Sequence, residues 1–128
     1  MRARVATAMD TDRDVDDADG FTARFAVSDA NPNGVEVIME KWAKGSAEPP
    51  HSHPGDDMTV VVEGKMAVQF FTKDADGTLR ADGAPLVLNK GDAGHINGGR
   101  IHDAKYLEDC KLVYVHDKKF GFVAEGAA

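Results

Sequence analysis

From Phe21 to His116 the chain alternates short apolar runs with turn-forming clusters: FTARFAV, NPNG, VEVIMEKWAKG, MTVVV, EG, KMAVQFFT, DADG, APLVLNKGD, GG, IHDAKYLE and KLVYVH. Runs this short, rich in Val, Phe, Ile and Tyr and bounded by Gly, Asn, Asp and Pro, predict strands. The links are too short for crossover helices, so the strands are expected to pair antiparallel. Many closely spaced strands in one small domain predict an all-β barrel or jelly roll. No amphipathic helix stands out before the C-terminal tail. The expected layout is an N-terminal arm over 1–20, one barrel over 21–120 and a tail over 121–128.

Composition refines this picture at the ends. The arm carries Asp10, Asp12, Asp14, Asp16, Asp17 and Asp19 with few apolar residues to offset the entropy of ordering it. Most of it reads as a mobile arm or a solvated edge that is also able to add a strand to a partner subunit. At 128 residues the chain has the size of one domain, able to bury roughly two-thirds of its unfolded surface. With 22 acidic against 15 basic residues and a pI near 5.1, it lacks the clustered positive field that nucleic acid or an anionic membrane requires. Cys110, the single cysteine, reads as a structural thiol on a buried strand in a reducing compartment. No run is long enough for a membrane span, and the N-terminus lacks the apolar centre of a signal peptide, so a cytoplasmic location is expected.

Candidate chemistry lies in two frames. The first reads Gly45, five residues, His51, Ser52, His53, three residues, Asp57, six residues, Gly64; the second reads Gly91, five residues, Asn97, Gly98, Gly99, two residues, His102, three residues, Tyr106. Together they resemble the two conserved motifs of the cupin family, over roughly Val35 to Val115. The resemblance implies a small double-stranded β-helix, a metal held by two histidines and an acid from the first motif and one histidine from the second, and a homodimer. Three positions depart from the family pattern: Asp57 stands where glutamate is usual, Asn97 where proline is usual, and Tyr106 where asparagine is usual.

The residues themselves argue for the same site. Residues two apart on a strand share a face, so His51 and His53 can aim both imidazoles into one cavity. Pro54 and Gly55 bend the chain and let Asp57 approach from the next strand, while a closed barrel would bring His102 from a distant segment. Three neutral imidazoles and a carboxylate suit Mn, Fe, Ni, Cu or Zn, not calcium or magnesium. Around a divalent ion they leave a charge near plus one and open positions, which favours a small anionic ligand. Asp57 is one methylene shorter than glutamate. It can ligate directly, act through water, or orient a histidine. Alternation turns its neighbour Asp56 outward.

Glu63-Gly64, read as a two-residue hairpin, predicts that Val62 faces Lys65, Val61 faces Met66, Thr59 faces Val68 and Asp57 faces Phe70. Thr59, Val61, Met66, Val68 and Phe70 would then wall the cavity, with Phe70 nearest the metal. Such an apolar wall excludes water and favours small organic ligands with one polar end. Tyr106 shares the face of His102 and either packs or hydrogen-bonds a substrate oxygen. Arg100 either pairs with an anionic substrate at the mouth or is solvated. His95 and His116 lie outside the motif positions and read as hydrogen-bonded histidines near the barrel surface or mouth. KDADG is a hairpin tip and not a calcium loop, and Cys110 has no reactive setting.

The expected function is a metal-dependent enzyme acting on a small oxygenated metabolite, of dioxygenase type. An isomerase or lyase acting on a sugar acid or similar anion, a non-catalytic small-molecule binding or sensing barrel, and a metal-free barrel are the other readings.

Overall fold

The computed structural model describes residues 15–18, 20–28, 31–117 and 122–125. Among the described residues there are thirteen strands and no helix. They are β1 (Val15–Ala18), β2 (Phe21–Ser28), β3 (Asn31–Trp42), β4 (Ala47–Ser52), β5 (Asp57–Glu63), β6 (Lys65–Val68), β7 (Phe71–Lys73), β8 (Leu79–Ala81), β9 (Leu86–Asn89), β10 (Ala93–Ile96), β11 (His102–Tyr106), β12 (Cys110–His116) and β13 (Val123–Ala124).

One sheet has the order β1-β2-β3-β12-β5-β10, a second has the order β13-β4-β11-β6-β9, and β7-β8 is a separate hairpin. Pairing is antiparallel. In both main sheets late strands insert between early ones: β12 between β3 and β5, and β11 between β4 and β6. This is the all-β jelly-roll barrel that the strand pattern predicts.

Period-two alternation decides which side chains enter it. Strand β5 buries Asp57, Thr59 and Val61 and exposes Met58 and Val62; β12 buries Cys110, Leu112 and His116. Cross-strand register stacks these residues in rungs. Glu36, His116, Asp57 and Ile96 share one rung, Ile38, Tyr114 and Thr59 the next, and Glu40, Leu112 and Val61 the third. The apolar core joins Val61 and Leu112 to Met66, Val68, Leu88 and Ala104. The barrel is therefore apolar toward one end and polar toward the other, where the histidines lie.

The Glu63-Gly64 hairpin does not form. Strand β5 pairs with β12 and β10, whereas β6 pairs with β11 and β9. Gly64, at φ +92°, instead carries the chain from one sheet to the other, and a Cβ there would collide with the Asp109 carbonyl oxygen. The dipeptide has the chemistry of a tight turn, but nothing local reveals that the flanking strands find partners elsewhere. Each strand's inward parity is independent of its partner, which is why Thr59, Val61, Met66 and Val68 are all buried despite the different register.

At the N-terminal arm, Val15–Ala18 pairs with β2; residues 1–14 and 19 lie outside the described residues. At the other end, β13 adds to the edge of β4. Glu125 fastens it there, accepting hydrogen bonds from Ser52 Oγ (2.7 Å) and Lys73 Nζ (2.8 Å). The KDADG segment is the tip of the β7-β8 hairpin, where the Gly77 amide donates to the Asp74 carbonyl (2.9 Å). Cys110 is buried, and burial pushes its thiol pKa up.

Candidate metal centre

The site starts from one antiparallel pair. Strand β4 ends in His51 and Ser52, His53 follows immediately, and β11 begins with His102, which stands directly opposite His51. One ligand nitrogen from each of His51, His53 and His102 lies within 4.8 Å of the others, and all three residues are buried. Ring centroids are 4.8 Å apart for His51 and His53, 4.4 Å for His51 and His102, and 5.4 Å for His53 and His102.

Two of the rings are held by the same device. His51 Nδ1 is 2.6 Å from the Pro49 carbonyl oxygen, and His102 Nδ1 is 2.9 Å from that of Arg100. A carbonyl only accepts, so Nδ1 carries the proton in each and Nε2 is left with a lone pair. This is how metal-binding imidazoles are commonly oriented. Burial pushes the His102 pKa down to about 4, against the carbonyl bond that raises it, and also lowers that of His51. The neutral imidazoles that metals require are thus the native form.

The bend after His53 is buttressed by the glycine turn. The Gly99 amide donates to the His53 carbonyl (2.8 Å), and the Gly98 amide to Asp56 Oδ1 (2.7 Å). A Cβ on Gly98 would press on the Pro54 carbonyl oxygen at 2.9 Å, so the turn needs glycine for close approach. Asp56 faces outward, with His95 Nε2 at 3.3 Å from its other oxygen.

The cavity beside the imidazoles has a free volume of about 30 Å³, room for an ion and a water or two. Thr59, Met66 and Val68 line it, together with Ile96, Glu48 and His116. Val61 does not reach it and packs in the core below. Phe70 does not line it either: its ring lies 6.4 Å from that of His102 and under the Arg100 guanidinium at 4.8 Å. Arg100 is committed to structure, donating to the Phe71 carbonyl (2.8 Å) and pairing with Asp82 (2.5 Å). Tyr106 is a packing residue stacked on Trp42 (centroids 4.5 Å apart, planes at 8°), with its hydroxyl turned to Glu48.

Asp57 is not brought into the histidine group. It starts a strand of the opposite sheet, on the rung of His116 and Ile96, and its Oδ1 accepts a long hydrogen bond from Thr59 (3.4 Å). Burial pushes its pKa up to about 7; the charges acting on it are those of His95, Glu48 and Asp56. The bend carries its backbone to the other sheet, and its carboxylate is not among the ligand atoms that lie within 4.8 Å of one another.

Three site residues escaped the sequence reading. His116 is 2% exposed, with its ring 5.4 Å from that of His53, and burial pushes its pKa down to about 4. Its parity with the inward Leu112 and Tyr114 was the available signal. Phe122 of the tail stacks on His51 (4.5 Å, planes at 18°) while remaining 47% exposed, a contact with no local signature. Glu48 has its Oε2 3.4 Å from His51 Nε2.

Comparison with known proteins places this geometry. A cupin superfamily protein from Desulfitobacterium hafniense DCB-2 superposes with a TM-score of 0.61 at 16% identity, covering 77% of this chain and 78% of that one. The two histidine frames of this chain lie on a barrel of that fold. The chain belongs to the cupin superfamily. No protein-family model matches this cupin. Its curated relatives include a germin-like protein of Mesembryanthemum crystallinum, 36% identical over 93 residues, covering 68% of this chain and 39% of the relative. Germin-like protein 8-10 of Oryza sativa subsp. japonica is 34% identical over 73 residues, covering 56% and 31%. The cupin thus matches about a third of the length of these relatives. A variant of Bacillus subtilis oxalate decarboxylase OxdC superposes with a TM-score of 0.70 at 16% identity, covering 88% of this chain and 30% of that one. Salicylate 1,2-dioxygenase from Pseudoaminobacter salicylatoxidans, with gentisate, gives 0.61 at 17%, covering 78% and 25%. Among the described residues no helix is long and apolar enough to cross a membrane.

Proposed function

We propose that this cupin is a metal-dependent enzyme acting on a small oxygenated anion, with dioxygenase chemistry. The observation that carries the reading is the convergence of three buried imidazoles within 4.8 Å, two of them with Nδ1 tied to a backbone carbonyl. That donor set fits Mn, Fe, Ni, Cu or Zn. A divalent ion there supplies Lewis acidity toward substrate oxygens and, if redox-active, one-electron chemistry. His51, His53 and His102 hold and orient it. Met66, Val68 and Ile96 keep bulk water from the inner wall. The small free volume beside the imidazoles supports a substrate of few heavy atoms. The similarity to a decarboxylase supports a second reading, carbon–carbon cleavage without oxygen, on the same site.

The test is turnover of diketones, enediols and uronates by Fe- or Mn-loaded protein, under air and under argon. Product that forms only under air, with matching oxygen uptake, is the expected result. Turnover of equal rate under argon selects the lyase or isomerase reading. Saturable ligand binding without product in either atmosphere makes the protein a binding module.

We also propose a homodimer. Its support is the outer face of the six-stranded sheet, where Val37, Met39, Met58, Val60, Val113 and Val115 lie in cross-strand register on β3, β12 and β5. Such a face is more apolar than solvent exposure alone explains. Light scattering is expected to give twice the 13.7 kDa chain mass; the single-chain mass at all concentrations would overturn the dimer. The buried free thiol of Cys110 supports a reducing compartment, such as the cytoplasm.

A further inference from the structure

We infer that Glu48, and not Asp57, is the carboxylate that completes the metal site. This rests on the three-histidine reading above and extends it to a residue outside both histidine frames.

The backbone explains how Glu48 arrives there. Residues three apart on a regular strand point to opposite faces. Between β4 and β11, however, His102 faces His51 while Ala104 faces Glu48, so two steps on β11 are matched by three on β4. The extra residue is a β-bulge, which returns Glu48 to the face of His51. Pro49 and Pro50 occupy it, and having no N–H to offer the ladder they fit a bulge better than a regular strand.

The side-chain geometry then points to a shared cation. Glu48 Oε2 is 3.4 Å from His51 Nε2. The proton of that imidazole sits on Nδ1, held by the Pro49 carbonyl, so a carboxylate oxygen faces the Nε2 lone pair at the cavity wall. Two ligands about 2.1 Å from one ion stand about 3.0 to 3.4 Å apart for octahedral to tetrahedral angles. The pair already has the spacing that a common ion imposes. The other oxygen, Oε1, accepts a 2.5 Å hydrogen bond from Tyr106, whose ring is fixed by Trp42. Supporting bonds of this kind orient metal-binding carboxylates. Glu48 stands beside His51 at the edge of the histidine group and lines the same cavity as His53 and His102. Asp57 lies on β5 of the other sheet, where its Oδ1 accepts from Thr59 two residues along the same strand.

The experiment compares Co(II) binding to full-length wild type, Glu48→Gln, Asp57→Asn and His102→Ala, by competition with a chelating dye and by the visible Co(II) spectrum. Glu48→Gln keeps the shape and an oxygen for Tyr106, and circular dichroism checks that each variant is folded. Wild type and Asp57→Asn are expected to bind one Co(II) with affinities within about 3-fold, well inside the 10- to 100-fold cost typical of disturbing a ligand's support. Glu48→Gln is expected to bind at least about 10-fold more weakly, with a shifted spectrum. Unchanged affinity and spectrum in Glu48→Gln, or the larger loss in Asp57→Asn, overturns the assignment while leaving the histidine site standing. Absence of Co(II) binding in wild type overturns the histidine site and this inference together.

Discussion

Replacing His102 with alanine is expected to abolish stoichiometric metal binding, weakening it by at least about 100-fold, the upper end of what loss of a mere supporting contact costs. His102 is the only one of the three imidazoles contributed from outside the His51-Ser52-His53 segment, and the antiparallel pairing of β11 with β4 sets it against His51. Without it the site keeps two nitrogens from one strand end and loses the cross-strand clamp. The effect is readable as stability, because an ion that binds only the native state adds RT ln(1 + [M]/Kd), about 2.7 kcal/mol at a hundredfold excess over Kd. Wild type treated with a chelator and then given Mn, Fe, Co or Zn should therefore show a clear rise in melting temperature, and His102→Ala should show none at the same concentration. Full metal content in the variant, measured by elemental analysis of untagged protein, would contradict the site.

The elements that were legible in the sequence are those in which a residue's fate depends on its own strand. Alternation in MTVVV and KMAVQFFT was enough to send Thr59, Val61, Met66 and Val68 inward, and the HxH spacing was enough to put two imidazoles side by side. The features that were not legible depend on which strands meet. The Glu63-Gly64 turn looks like a hairpin because turn chemistry is local, whereas its flanking strands belong to different sheets. Phe70 was placed in the cavity by that false register and lies outside it. Glu48 is hidden for a related reason: from spacing alone it opposes His51, and only the bulge at Pro49-Pro50 reverses it. The double proline is a signal of broken pairing, but it does not say which neighbour is turned over. His116 is the most legible of the three, since counting forward by twos from Leu112 through Tyr114 puts it inside.

Converting Asp57 to asparagine is expected to stabilise the metal-free protein above neutral pH, by about 2–4 kcal/mol at pH 8, with little effect near pH 4. Burial moves the Asp57 pKa from 3.8 to about 7. Between those values the native state holds a proton that the unfolded state has released, so this group's contribution to stability falls as pH rises and the full cost is present above pH 7. The buried histidines act in the opposite sense. His102 and His116 fall from 6.5 to about 4, so below pH 6.5 the unfolded chain gains protons that the native state refuses. Each costs on the order of 3 kcal/mol by pH 4. Two histidines outweigh one aspartate between pH 4 and 6.5, so metal-free wild type should gain stability as pH rises to about 6.5 and stay nearly level above pH 7, where the aspartate's remaining loss and the histidines' remaining gain almost cancel. Asp57→Asn removes the aspartate's opposing slope between pH 4 and 7, so the variant's stability climbs more steeply with pH and levels off higher, because nothing then opposes the histidines. Urea unfolding of chelated protein between pH 4 and 8 measures the rise and the plateau. Equal stability of variant and wild type at pH 8 would mean that Asp57 is ionised at no cost in the native state, and that a cationic partner or water reaches it.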